Sequence, residues 1–216
     1  MKRYFLILSS ILIHQLAFGQ YTEDEWKKRD KWMNIEGILE AMSASEGDIV
    51  ADLGSHEGYM TLHLSKAVGA NGKVYAVDVE KYKLRNLERH MKRRDISNVE
   101  TVHGDYDNPK LAANSLDAII IMDAYHEMDD YMTILGHVKN ALKPGGRLVM
   151  IEEIDSFRKD DTRKAQTRSH DLGINYAKAE LAQAGFSIQS EIPDFGRWEN
   201  KKDKHIWLLV ATRPEL

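Results

Sequence analysis

The sequence predicts an α/β domain built on a doubly wound, mostly parallel sheet of seven strands, the last two forming an antiparallel hairpin. Three observations predict it. From residue 47 onward, short apolar runs alternate with longer segments of helical periodicity. The runs are nearly continuous in apolar residues rather than alternating, as strands covered on both faces are. Near the C-terminus two strand-like runs follow one another with only a polar loop between them, which is how a hairpin closes a sheet.

The elements follow in order. Lys2 and Arg3 precede an almost wholly apolar stretch, Tyr4 to Phe18, and Ala17-Phe18-Gly19 puts small residues where a signal peptidase reads them. Residues 1–19 are therefore expected to be a signal peptide, cleaved after Gly19 to leave Gln20 and a periplasmic or secreted protein. The stretch is short for a transmembrane span, so no stable membrane insertion is expected after cleavage. Residues 20–46 form an N-terminal helical segment. Within it Thr22 to Ala44 reads as helix, with Trp26, Met33, Ile38, Leu39 and Met42 on an apolar stripe.

Residues 47–216 form the main domain. Ile49 to Leu53 is the first strand, and Gly58 to Val68 the helix after it. Val74 to Val77, Val99 to Val102, Leu116 to Met122 and Leu148 to Ile151 are the next four strands. Helices are expected over Lys81 to Arg94 and Asp129 to Leu142, the latter stopped by Lys143-Pro144-Gly145-Gly146. A single long helix is expected over Thr162 to Ala184, ending at Gly185. Phe186 to Ile192 and His205 to Thr212 then make the hairpin.

The 216 residues suffice for one such domain. The formal net charge is −4, and removing residues 1–19 makes the remainder more acidic. A chain without excess cations is a poor nucleic-acid binder, and the basic run from Lys81 to Arg94 reads as a solvated helix face. There are no cysteines, which excludes disulfides, thiolate catalysis and Cys-type zinc sites. No feature of the sequence specifies an oligomeric state.

The most informative segment is Asp52-Leu53-Gly54-Ser55-His56-Glu57-Gly58, running from the first strand into the first helix of the main domain. Gly54 permits a tight turn and close approach of a ligand to the backbone. Gly58 lets the helix begin close to the strand, its free N–H groups facing the ligand. About twenty residues further on, the second strand ends at Asp78, where a carboxylate accepts ribose hydroxyls in dinucleotide folds.

In this ordered set the chain resembles the class I S-adenosylmethionine-dependent methyltransferases, most nearly the small-molecule branch that includes quinone-biosynthesis enzymes. The resemblance spans about Gly47 to Gly185. It rests on Asp52 to Gly58, Asp78, His103-Gly104-Asp105-Tyr106, Asp117 to Glu127, and Leu142 to Leu148. It implies a Rossmann-like fold, S-adenosylmethionine as cofactor and a small-molecule acceptor. It makes Asp52, Gly54, His56, Gly58, Asp78, Gly104, Asp105 and Asp123 the cofactor-binding set, with Asp105 toward the adenine amino group. One position departs from the pattern: the middle glycine of the first loop is His56, which lies where the methionine portion of the cofactor would pass.

Methyl transfer from a sulfonium is an in-line displacement, and a base is needed only for a protonated acceptor. His126 is the candidate base or acceptor contact and Tyr125 the second candidate, both at the C-terminal end of the fourth strand, where such sheets bind ligands. Glu152 and Glu153 lie at the same sheet edge and, with Asp123 and His126, offer oxygen and nitrogen donors for a divalent ion. They show no tight ligand spacing, so no metal is expected. His170 reads as a polar surface contact. The competing reading is an extracytoplasmic binding module that kept this fold and lost the reaction. An NAD-type oxidoreductase fits the later blocks less well.

Overall fold

The computed structural model describes residues 23–215; the expected signal peptide lies outside the described residues. The elements are α1 (Glu23–Arg29), α2 (Ile35–Met42), β1 (Ile49–Leu53), α3 (Tyr59–Val68), β2 (Lys73–Asp78), α4 (Lys81–Arg93), β3 (Val99–His103), β4 (Leu116–Met122), α5 (Tyr131–Ala141), β5 (Leu142–Asp155), α6 (Arg163–Thr167), α7 (Ile174–Gln183), β6 (Ser187–Arg197) and β7 (Lys204–Thr212). The seven strands form one sheet in the order β3-β2-β1-β4-β5-β7-β6, with β7 antiparallel to both of its neighbours and the other pairs parallel. The predicted sheet is therefore the observed one. Strand order reverses between β1 and β4, which opens a crevice at their C-terminal ends.

Both faces are covered because each central strand is apolar on both sides. In β4, Ile119 and Ile121 pack with Leu135 and Val138 of α5 and Ala177 and Leu181 of α7. Ala118, Ile120 and Met122 face the other way, onto Ile38 and Met42 of α2 and Met60 and Leu64 of α3. Each such fully buried aliphatic side chain contributes about 1.5–3 kcal/mol of transfer free energy. The N-terminal segment shares this second core through Trp26 and Met33 and is an integral layer of the domain.

Two expected helices are broken in two. The first stops at Arg29, and Asn34 accepts a hydrogen bond from the Gly37 N–H at 3.0 Å, which caps α2 as a new helix. The expected long C-terminal helix divides into α6 and α7 because buried Gln166 gathers the backbone around itself. Its amide donates to the Arg158 and Lys159 carbonyls at 2.9 and 3.3 Å and accepts from the Gly173 N–H at 2.8 Å. His170 lies in the break with a left-handed φ of 55°. The Lys143-Pro144-Gly145-Gly146 tract is not a free turn. It lies inside β5, whose first residue pairs with Leu116 before the register shifts.

Candidate active site

The crevice has two walls. The first is the loop after β1. The N–H groups of Gly54 and Ser55 both donate to the Val77 carbonyl at 2.9 Å, folding the loop over β2. Gly54 has φ +85°, and a Cβ there would lie 2.5 Å from the Ala124 Cβ, so only glycine fits between the two loops. Gly58 has φ +98°, and a Cβ there would lie 2.3 Å from Leu87 Cδ1, so its absence lets α3 start against α4.

The backbone of this loop aims a carboxylate. The His56 N–H donates to Asp78 Oδ2 at 2.9 Å and the Glu80 N–H to Oδ1 at 2.8 Å. His56 adopts the glycine-like conformation its position demands, with φ 50°. Burial drives its imidazole down to about 3, with Lys83 and Arg29 adding to the effect, so the ring is neutral. Asp52 is buried at the end of β1 and accepts from Thr61 Oγ1 at 2.6 Å. Burial raises its carboxyl to about 6 against the lowering effect of that bond. Gly104 follows β3 close to Val77, and its N–H donates to the Asp78 carbonyl at 3.2 Å. Asp105 stands apart on the exposed rim, paired with Lys110 at 2.9 Å.

The second wall is the β4–β5 edge. The Asp123 side chain is buried, its φ is 55°, and its N–H donates to the Ile151 carbonyl at 2.8 Å. Burial, and after it the charge of Asp123, push the Glu153 carboxyl well above the carboxylate range. Lys204 Nζ, 3.2 Å from Glu153 Oε1, opposes this. Glu152 is fully enclosed. Its Oε1 accepts the N–H groups of Ala124, Tyr125 and His126 at 3.1, 2.6 and 3.1 Å, and its Oε2 lies 2.7 Å from His126 Nδ1. Burial pulls the His126 imidazole down, but the Glu152 carboxylate outweighs it and holds the ring up to about 9.

The two proposed catalytic residues therefore part company. With Nδ1 engaged, His126 has only Nε2 left, and it faces Glu127 at 3.9 Å. Tyr125 points away from the crevice into the α5–α7 core, where its hydroxyl donates to Glu180 Oε2 at 2.8 Å. The expectation that Tyr125 meets an acceptor is corrected: its aromatic ring is core, and Glu180 takes its only proton.

One residue stands in the site unannounced. Arg29, at the end of α1, is 4% exposed, and its guanidinium packs over Tyr59, Trp198 and Trp32 at 4.7, 5.0 and 5.7 Å from the ring centroids. Nη2 lies 4.0 Å from Asp123 Oδ2, and neither Nε nor Nη2 has a hydrogen-bond partner. A cavity of about 220 Å³ opens beside it, lined by Glu25, Lys28, Arg29, Trp32 and Glu199. The clue lay in the spacing. Arg29 is three residues after Trp26 and four before Met33, on the buried stripe of the N-terminal segment.

A doubly wound sheet with this strand order, a glycine loop after β1 and carboxylates at the ends of β1, β2 and β4 is a Rossmann-like fold. The comparisons agree. Residues 50–146 match the family model of a methyltransferase domain. Over 127 residues the chain is 31% identical to a demethylmenaquinone methyltransferase of Geobacillus sp. (strain WCH70), covering 59% of this chain and 53% of the relative. The chain thus spans about half the length of the curated relatives it matches. The fold is similar to a SAM-dependent methyltransferase from Aquifex aeolicus (TM-score 0.71, 23% identity, 88% of this chain and 97% of that one). It is also similar to the [4+2]-cyclase SpnF (TM-score 0.72, 16% identity, 84% and 80%). The cofactor that goes with this fold is S-adenosylmethionine, and the residues present fit it: an aimed carboxylate at Asp78, a glycine cradle at Gly54, and a buried guanidinium with unmet donors.

Proposed function

We propose that this protein transfers a methyl group from S-adenosylmethionine to a small-molecule acceptor at the C-terminal ends of β1 and β4. The observation that carries this reading is the Asp78 carboxylate, fixed by two backbone N–H groups beside the glycine loop. Asp78 would receive the ribose hydroxyls, and each of its oxygens keeps a lone pair for them. Gly54 and Gly104 keep the backbone low along the path of the nucleoside, and Asp105 on the rim would meet the adenine amino group. Arg29 would take the cofactor's carboxylate through Nε and Nη2, neither of which makes a hydrogen bond. When bound, the cofactor supplies an electrophilic methyl group on a sulfonium. The part played by the chain is alignment: Asp123 and the aromatic group Trp32, Tyr59 and Trp198 shape the space in which donor and acceptor meet.

The acceptor is a small molecule rather than a polymer, because the net charge of −4 gives a polyanion little to bind. The similarity to quinone-pathway methyltransferases favours a planar aromatic acceptor. We propose in addition that residues 1–19 direct the protein out of the cytoplasm. N-terminal sequencing of the protein from the producing cell should then begin at Gln20, and an intact Met1 would refute export by cleavage.

Calorimetric titration with S-adenosylhomocysteine tests the site. Micromolar binding is expected. Arg29→Gln should weaken it about tenfold, as loss of a charged hydrogen bond does, while leaving the affinity for methylthioadenosine, which lacks the carboxylate, unchanged. Absence of binding at millimolar concentration would sink the reading.

A further inference from the structure

Three side chains meet outside the nucleotide pocket. His126 Nε2 lies 3.9 Å from Glu127 Oε1, and the same carboxylate oxygen lies 3.6 Å from Nδ1 of His170. The two imidazole rings stand edge to face with centroids 5.5 Å apart. One ligand atom from each of the three lies within 4.8 Å of the others. Tetrahedral ligands around a zinc-sized ion sit about 3.3 Å apart. Small rotations bring these atoms to that spacing, and Glu127 and His170, both exposed, are free to make them.

We propose that His126 Nε2, His170 Nδ1 and the Glu127 carboxylate form a binding site for a divalent transition-metal ion of the zinc class. Two imidazoles and one carboxylate are a donor set that such ions prefer over calcium or magnesium. The decisive feature is behind the ring. A metal-binding histidine needs its other nitrogen held by a carboxylate or carbonyl, which fixes the tautomer and the ring plane. His126 has this in Glu152 at 2.7 Å, and Glu152 is itself fixed by three backbone N–H groups. The alternative grouping of Asp123, His126 and Glu152 also brings its ligand atoms within 4.8 Å. There, however, Glu152 is already committed on both oxygens, so the Nε2 side takes the ion.

This proposal departs from the expectation of no metal. That expectation rested on sequence spacing, whereas these ligands come from two separate elements, the turn after β4 and the break between α6 and α7. Three protein ligands leave one position open. If the methyl-transfer reading holds, on which this last step rests, that position takes the acceptor's donor atom beside Asp123.

The test is titration of the chelator-treated full-length protein with Co²⁺. One equivalent should bind, with the visible absorption of a low-coordinate site, and Zn²⁺ should displace it. His170→Ala and Glu127→Ala alter exposed side chains and should each weaken binding at least about tenfold, and Glu152→Gln should weaken it by about 10- to 100-fold through the His126 tautomer. No stoichiometric binding, or binding indifferent to His170→Ala and Glu127→Ala, overturns the site. Titration with S-adenosylhomocysteine in parallel separates the two claims. Cofactor binding without metal binding sinks only the metal site, and metal binding without cofactor binding sinks only the methyl-transfer reading.

Discussion

The two walls of the crevice hold their carboxylates by different means. On the β1–β2 side, Asp78 is fixed by backbone N–H groups and Asp52 by the Thr61 hydroxyl, donors that lie between two and twenty-two positions away in the chain. On the β4–β5 side, Glu152 meets His126, Asp123 meets Arg29 and Glu153, and Glu153 meets Lys204, each across 26 residues or more in the chain. The first wall is a local structure, in which one turn of chain positions one acid. The second is a balance of buried charges in which no member can be removed without leaving another exposed to a low-dielectric interior.

That difference predicts different responses to substitution. Glu152→Ala should have the largest effect, because it leaves the His126 ring and three N–H groups without their common acceptor. Urea denaturation should show a loss of about 3–5 kcal/mol, and a loss below 1 kcal/mol would mean that the second wall is not a cooperative network.

Next comes the pH dependence of Asp52. Its carboxyl is raised to about 6 in the fold against 3.8 in the unfolded chain. Between those values the folded form holds a proton that the unfolded form releases, so stability is greatest below the lower value and falls as pH rises to the upper one. The fall attributable to this group is up to about 3 kcal/mol. Asp52→Asn should flatten that part of the stability profile measured from pH 3.5 to 7, and an unchanged slope would assign it to another group.

Asp78→Asn should act on ligand and not on fold. It should weaken S-adenosylhomocysteine binding by about 10- to 100-fold, the worth of charged hydrogen bonds, with little change in the urea midpoint. A protein that unfolds instead would make Asp78 part of the scaffold. His56→Gly should have the smallest effect. Releasing the left-handed backbone gains about 1–2 kcal/mol, and the added freedom of the unfolded chain takes back about 0.5–1 kcal/mol. A large gain in cofactor affinity would show that the ring obstructs the methionine portion.

Sequence reading reached the first wall and the sheet, and for the same reason. Residues 116–122 were expected as a strand and are β4, because seven consecutive residues are apolar except for one acid. The Asp52–Gly58 loop was legible because its glycines answer to neighbours fixed by the βαβ unit. What was not legible depended on side chains that reach far. The break between α6 and α7 exists because Gln166 binds backbone on both sides of it, and a glutamine within a helical pattern announces nothing of the kind. Tyr125 looked like a site residue because it stands at the C-terminal end of the fourth strand, but its side chain turns into the core toward Glu180. Arg29 was hidden in plain periodicity, as a cation on an apolar stripe.

The contact between Gly54 and Ala124 has a kinetic consequence. The β1 and β4 loops meet with no room for even a methyl group between them, so the crevice does not widen by parting the sheet's two halves. The seven-residue helix α1 holds Arg29 beside the cavity, so a ligand that pairs with Arg29 meets this helix. Association should then be gated by the undocking of α1, with an observed rate that levels off as ligand concentration rises. Amide hydrogens of residues 25–33 should exchange more slowly once ligand is bound, while those of β1 and β4 remain as they were.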